Sequence, residues 1–198
     1  MNEREQAETW WNELGPAWRR AFQEALLGQP PEAGRPDTDT LMDLISLETL
    51  RLAGPRAPYP NLSFELTDLE GVAGLRSLRF LSVTDMAITS LAPLASLVAL
   101  EDLFVQDNRL ESLNGIEGLT ALKSLHCQGN RLRSLAPIER LTQLRTIYAS
   151  GNRITRIDGL HAGHVPNLEQ FFILPNERLS QAEVVRMQDE LGIRCRQG

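Results

Sequence analysis

Two short stretches hold residue types that could do chemistry together. In LKSLHCQGNRL, residues 122–132, His126 stands beside Cys127, and Asn130 follows three residues on. A thiol, an imidazole and an amide are the parts of an activated nucleophile, provided their side chains come within hydrogen-bond reach. In HAGH, His161 and His164 lie three apart, with Asp158 shortly before them. Zinc is usually held by four ligands, and neither a cysteine nor a further clear carboxylate lies close by in sequence. The ligand set is too short, so no metal centre is expected. The chain has no Gly-rich phosphate loop, no GxSxG and no pair of catalytic carboxylates.

Whether His126 can serve Cys127 depends on the element that carries them. LEDLFVQDNRL (100–110), LKSLHCQGNRL (122–132) and LRTIYASGNRI (144–154) align at a period of 22 residues. An earlier copy, LRFLSVTDMAI (78–88), keeps the period but has Met86 where the others have asparagine. A later copy, LEQFFILPNERL (168–179), begins 24 residues after its predecessor, and LETLRLAGP (47–55) is a first copy followed by nine extra residues. Within a copy the apolar positions alternate, with Leu103 and Val105 inward and Phe104 and Gln106 outward, which is strand periodicity. Between copies they recur every third residue, as in Leu110, Leu113, Ile116, Leu119 and Leu122, a spacing that suits 3₁₀-like turns. Neighbouring residues of a strand point to opposite faces. Cys127 falls in the inward column of Val105 and Ala149, and His126 in the outward column of Phe104 and Tyr148. The two cannot pair, so Cys127 reads as a small buried hydrophobe and no catalytic residue is expected.

These copies resemble the leucine-rich repeat, LxxLxLxxNxL, in the 22-residue form of SDS22-like proteins and internalins. LAPLASL and LAPIERL resemble the internalin pattern for the convex side. The resemblance covers about residues 41–179. It implies an α/β fold: a right-handed solenoid with short parallel strands on its concave face and 3₁₀ or short helices on its convex face. A helical N-terminal cap is expected over 1–46, about six coils over 47–179 with an insertion near 53–65, and a helix-and-strand C-terminal cap over 180–198. One repeat cannot bury its leucines alone, but stacked neighbours can. The resemblance also implies that Asn108, Asn130, Asn152 and Asn176 form an internal ladder, since an amide can satisfy the turning backbone of adjacent coils. It says little about function, because this fold hosts many partners.

Composition narrows the classes. A chain of 198 residues buries roughly 70% of its unfolded surface, so no staples are needed. A net charge of −6 argues against general nucleic-acid binding, which needs clustered cations. Lys123 is the only lysine beside nineteen arginines, a bias consistent with a GC-rich genome. The two cysteines, Cys127 and Cys195, fit a reducing compartment better than a disulfide framework. No apolar run approaches the ~20 residues of a membrane span. The opening MNEREQAETWW lacks the basic-then-apolar pattern of a secretory signal, so a cytoplasmic protein is expected.

The ends read as caps. Trp10, Trp11 and Leu14 close one helix, and Gly15–Pro16 opens a second carrying Trp18, Phe22, Ala25 and Leu26. Gly28 to Pro36 reads as a loop, and Asp37 to Thr40 cap a short helix with Leu41, Leu44 and Ile45. Three tryptophans in eighteen residues either seal the apolar end of the solenoid or form a partner- or membrane-binding helix. The acidic Glu3, Glu5, Glu8 and Glu13 argue against anionic membranes. WWNELGPAWRRAFQ resembles an N-terminal element found ahead of such repeats in bacterial proteins. At the other end, Ser180 and Glu183 form a capping-box pattern. The helix should run through Ala182, Val185, Met187 and Leu191 and stop at Gly192, with Ile193 and Cys195 in a last strand. Pro58-Tyr59-Pro60 in the insertion either leans over the concave face, or Tyr59 and Phe64 pack under the cap.

The outward column Arg51, Ser82, Phe104, His126, Tyr148, Phe172 contains an unbroken row of four rings, and Phe80 starts the column that flanks it on one side. A row of outward rings either binds a partner or packs upon itself to stabilise the sheet. Asp102, Ser124, Thr146 and Gln170 flank it on one side; Thr84, Gln106, Gln128 and Ser150 on the other. Asp85 and Asp107 add acidity, and Lys123, Arg145, Arg109, Arg131 and Arg153 add cations. An apolar middle with a charged rim suits a protein or peptide partner. The expected role is therefore a non-catalytic protein-interaction module without a cofactor, binding through Phe80, Phe104, His126, Tyr148, Phe172, Asp102, Gln106, Gln128 and Arg145. The alternative is a regulatory or immunity-type subunit that blocks an enzyme or toxin. Binding would weaken near the titration of His126, around pH 6–7.

Overall fold

A computed structural model describes residues 2–30 and 33–198. Pro31 and Glu32 of the expected Gly28–Pro36 loop lie outside the described residues. Seven parallel strands form one sheet in sequence order: β1 (Thr49–Ala53), β2 (Phe80–Thr84), β3 (Asp102–Phe104), β4 (Ser124–His126), β5 (Thr146–Tyr148), β6 (Gln170–Leu174) and β7 (Arg196–Gln197). The register advances one repeat per rung, with Phe104 opposite His126, His126 opposite Tyr148 and Tyr148 opposite Phe172. The inward columns are closed: Leu81, Leu103, Leu125, Ile147 and Phe171 form one, and Val83, Val105, Cys127, Ala149 and Ile173 the next, all buried.

The opposite side of each coil is built from tight turns. Glu70–Val72, Ala92–Leu94 and Ala136–Ile138 are 3₁₀ helices. Pro93 and Pro137 sit near the start of the last two, where an N–H would have no intrahelical partner. In the coil between them Gly115 takes their place at φ +111°, yet the i→i+3 bonds persist from Ile116 N to Leu113 O and from Leu119 N to Ile116 O. Threefold spacing of leucines therefore gives the same winding whether or not a regular 3₁₀ helix forms.

Three helices cover the first coils. Helix α1 (Glu3–Glu13) is held by an Asn2–Glu5 capping box. Helix α2 (Pro16–Phe22) begins with Pro16 in its first turn, and α3 (Thr38–Ile45) is capped by Asp37, whose carboxylate accepts from Thr40 N at 2.8 Å. Trp10, Trp11, Trp18 and Phe22 form one aromatic cluster over the end of the core. Its polar atoms are satisfied by the coil beneath: Trp10 Nε1 donates to Gly71 O at 3.2 Å and Trp18 Nε1 to Asp68 Oδ1 at 2.8 Å. A Cβ on Gly71 would lie 2.1 Å from the Trp18 ring, so the indole rests directly on backbone. No helix among the described residues is long and apolar enough to cross a membrane.

At both ends, contacts with a particular neighbour decide which residues of a helix are buried. Leu26 is exposed and Gln23 buried, because α2 runs on as a π turn over Gln23–Leu27 whose wider winding rotates the apolar face. Gln23 compensates by donating to Ala33 O at 2.8 Å. Helix α4 (Gln181–Leu191) starts at Ser180 and stops at Gly192 in the left-handed region. It buries Met187, with Val184 and Leu191 half-buried, and leaves Ala182 and Val185 exposed. The capping box is only half made: Ser180 Oγ accepts from Glu183 N, but the Glu183 carboxylate accepts from Ile157 N at 3.0 Å and pairs with Arg186. That choice docks α4 onto the last coil and sets which side it buries. The last strand forms at Arg196–Gln197, just beyond Ile193 and Cys195.

Candidate interaction face

The open face of the sheet carries a continuous row of rings. Phe104 and His126 stack at 4.0 Å between centroids and 18° between planes, His126 and Tyr148 at 4.4 Å and 21°, and Tyr148 and Phe172 at 4.3 Å and 12°. Parallel register forces this geometry: adjacent strands lie ~4.8 Å apart, close to ring-stacking distance, so rings in one column must lie face to face. Phe80 belongs to the neighbouring column, opposite Asp102, and reaches Phe104 diagonally at 5.2 Å. Arg196 of β7 closes the far end, its guanidinium 5.9 Å from the Phe172 ring. The five rings are all half-buried. Their faces cover one another, and ring edges are what the row offers to solvent.

Asp102, Ser124, Thr146 and Gln170 run along one flank, and Gln106 and Gln128 along the other. The amide oxygens of Gln106 and Gln128 are shut from solvent with no partner among the described residues. Glu101 gathers Arg79 and Lys123, which hold its carboxyl below the usual range, with the Lys123 hydrogen bond the larger cause. Arg145 is exposed beyond this cluster. Burial among the rings lowers the His126 pKa, against the opposing pull of Asp102. The imidazole thus gains its proton below its ordinary range, a lower window than pH 6–7.

Behind the strands the asparagines form the ladder. Asn130 Oδ1 accepts from Leu110 N at 3.0 Å, while its Nδ2 donates to Val105 O and Cys127 O at 2.9 and 3.1 Å. Asn108, Asn152 and Asn176 repeat the pattern toward Ile88 N, Leu132 N and Ile154 N. Met86 breaks the series, and its thioether accepts from Leu66 N at 3.3 Å instead.

The reactive residues of the opening stretches are placed apart from any chemistry. Cys127 is fully buried on the core side, opposite in facing to His126, and burial pushes its thiol up to about 12. His161 Nε2 meets Glu139 O at 2.9 Å, and its Nδ1 accepts from Gly163 N. His164 is buried, with Nε2 on Ile138 O at 3.2 Å and Nδ1 accepting from His161 N. Asp158 is taken by Ser134 Oγ and Leu135 N. Every ring nitrogen of the HAGH pair is thus engaged by backbone. A cavity of about 840 Å³ between α1, α3 and the first coil is lined by Trp10, Leu14, Met42 and Ile45 with Glu13 and Asp43, and by neither histidine nor cysteine.

The 53–65 insertion does something the sequence reading missed. It turns back along the free edge of β1. Asn61 Oδ1 accepts from Ala53 N at 2.7 Å, its Nδ2 donates to Arg51 O at 2.8 Å, and Asn61 N donates to Ala53 O at 3.1 Å. One side chain thereby imitates a paired strand. Arg51, in the ring-row column, donates to Tyr59 O at 2.8 Å and fixes the Pro58-Tyr59-Pro60 tip. Tyr59 does not pack under the cap: it is 79% exposed. Phe64 does meet the cap, lying 4.2 Å beneath the Arg20 guanidinium. An asparagine soon after a strand was the available signal for this edge seal.

No protein-family model matches the chain, and no curated protein does. Solved structures do. An internalin from Listeria monocytogenes aligns with a TM-score of 0.69 at 16% identity, over 93% of this chain and 50% of that one. A leucine-rich-repeat protein of Leptospira interrogans aligns at 0.59 and 22% identity, over 74% and 36%. The leucine-rich-repeat ectodomain of a receptor kinase from Arabidopsis thaliana aligns at 0.53 and 20%, over 65% and 71%. This chain spans half or less of the first two. The parallel rungs, the asparagine ladder and these neighbours agree: the chain folds as a leucine-rich-repeat solenoid.

Proposed function

We propose that the chain is a non-catalytic interaction module whose concave sheet binds a protein or peptide through Phe104, His126, Tyr148 and Phe172, with Phe80, Asp102, Gln106, Gln128 and Arg145 around them. The supporting observation is the row of stacked rings on the open face. Stacking holds each ring in one orientation before any partner arrives, so little side-chain freedom is left to lose on binding. Rigid aromatics of this kind are the commonest anchors of protein interfaces. The leucine-rich-repeat fold is in general an interaction fold, which fits. The proposal places the protein in a reducing cytoplasm, in keeping with its two free cysteines.

The test is affinity capture from native cells with wild type, Phe104→Ala and Tyr148→Ala baits. A partner held by wild type should be recovered at least about tenfold less well by either variant, the scale of one lost aromatic anchor. Equal recovery by both variants removes the ring row from the account.

A further inference from the structure

The rim beside the ring row changes sign along the solenoid. Each strand leaves the sheet through a turn residue followed by the ladder position; in the third to fifth coils the next residue is an exposed arginine, and in the second it is the buried Ala87. In the second and third coils the turn residues are Asp85 and Asp107, both in the left-handed region at φ 54° and 56°. In the fourth and fifth coils the turn residues are Gly129 and Gly151, and the exposed positions beyond the ladder are Arg131 and Arg153. None of these four charged residues has an ion-pair partner among the described residues. The arginine that breaks the acidic half, Arg109, is already held by Glu65 at 3.6 Å, and Glu65 also holds Arg56 at 2.8 Å. Glu111 extends the acidic half, while Arg133 and Arg156 extend the basic half. Beyond the fifth coil Glu177 and Arg178 balance each other.

Like charges are therefore held side by side without compensation. Asp107 reports it: burial first, and then the charge of Asp85, raise its pKa. Proteins commonly intersperse surface charge of both signs, and an ordered gradient along one edge orients whatever docks there. Tyr59 stands at the acidic end of this edge, on the loop pinned by Asn61 and Arg51. Its backbone is fixed while its ring is bare.

We propose that the concave face binds an extended, charge-polarised peptide segment in one direction across the strands, its cationic end over Asp85 and Asp107 beside Tyr59 and its anionic end over Arg131 and Arg153. The inference rests on the concave-face reading above and adds the partner's chemistry and direction. From β1 to β6 the face spans five strand spacings, ~24 Å, which about seven extended residues cover. Apolar side chains in the middle of such a segment lie on the ring edges.

A random dodecapeptide library displayed on phage is selected against the full chain in three forms: wild type, Phe104→Ala/Tyr148→Ala, and a rim variant, Asp85→Asn/Asp107→Asn/Arg131→Glu/Arg153→Glu. Asparagine keeps the left-handed preference at the two turns. Wild type should enrich peptides with an apolar or aromatic centre, Lys or Arg toward one end and Asp or Glu toward the other, always in the same order. The ring variant should lose them. The rim variant should bind the wild-type winners at least about tenfold more weakly and lose the charge order. In addition, Tyr59→Ala should weaken the same winners. Winners that depend on the rings but show no charge order overturn this inference and leave the concave-face reading standing. Winners that survive the ring variant overturn both, as does a wild-type selection that yields no enriched peptide.

Discussion

Asn130 satisfies buried groups of two successive coils with a single amide. Replacing it with alanine leaves Leu110 N buried and unpaired, and takes one of two amide donors from each of Val105 O and Cys127 O, which keep those of Asn108 and Asn152. The orphaned N–H costs about 1–3 kcal/mol and each weakened carbonyl about 0.5–1 kcal/mol, so Asn130→Ala should cost roughly 3 kcal/mol. For a chain of this size that lowers the melting temperature by roughly 6–12 °C. A calorimetric scan of the variant checks it, and an unchanged transition would remove the ladder as a source of stability. Met86 shows how far the position can bend. A thioether accepts only weakly and donates nothing, so the second coil keeps its bond to Leu66 N and gives up the amide's donors.

The turns between strands show how one winding is reached by different residues. Pro93 and Pro137 preset it, whereas Gly115 and Gly159 reach it at φ +111° and +82°. A Cβ at Gly115 would meet Leu91 O at 2.5 Å, so Gly115→Ala combines a forbidden backbone with a clash against the preceding coil. The expected loss is about 2–4 kcal/mol by urea denaturation. Gly118→Ala, where nothing lies within 4 Å, should stay within about 0.5 kcal/mol. This element scale is also where the sequence was most and least legible. Strands, turns, ladder and the ring column follow from period alone, because stacking makes every copy report the same geometry. The π turn that buries Gln23, the face that α4 presents, and the Asn61 seal occur once each. They depend on contacts with a particular neighbour: Ala33 for Gln23, Ile157 for Glu183, the bare edge of β1 for Asn61. No repetition announces them. The rings were legible as a row, but the capping of that row by Arg196 was not, since β7 lies outside the periodic copies.

The molecule as a whole should lose stability with acid in two stages. Burial lowers the pKa of His126 and His164, so the unfolded chain takes up these protons first as pH falls. The unfolded state then binds more protons than the folded one, and stability must drop below the ordinary imidazole value, about pH 6.5. Glu8, Asp37, Glu101 and Glu183 are also shifted down, by hydrogen bonds before all else. Their share is lost in a second stage below about pH 4.5. Asp107 works the other way, since protonation relieves first the cost of burying its charge and then its repulsion with Asp85. Urea midpoints should thus be flat from about pH 8 to 7, decline below about pH 6.5, and fall again below about pH 4.5. His126→Phe, which keeps a ring in the stack, should shallow the first decline and leave the second untouched. A first decline identical in the variant would remove His126 from the account.

Asn61 occupies the hydrogen-bonding edge that another strand would need, and the tryptophans lie across the same end of the core. The stack is therefore sealed at that end, and a further coil could not be added ahead of β1 without displacing both. A change in the number of repeats is easiest by duplication in the middle, among the third to fifth coils, where one 22-residue unit can replace another and every amide finds its partners. Lengthening there would extend the ring row and carry the rim's two signs farther apart, so a longer descendant would favour a longer ligand.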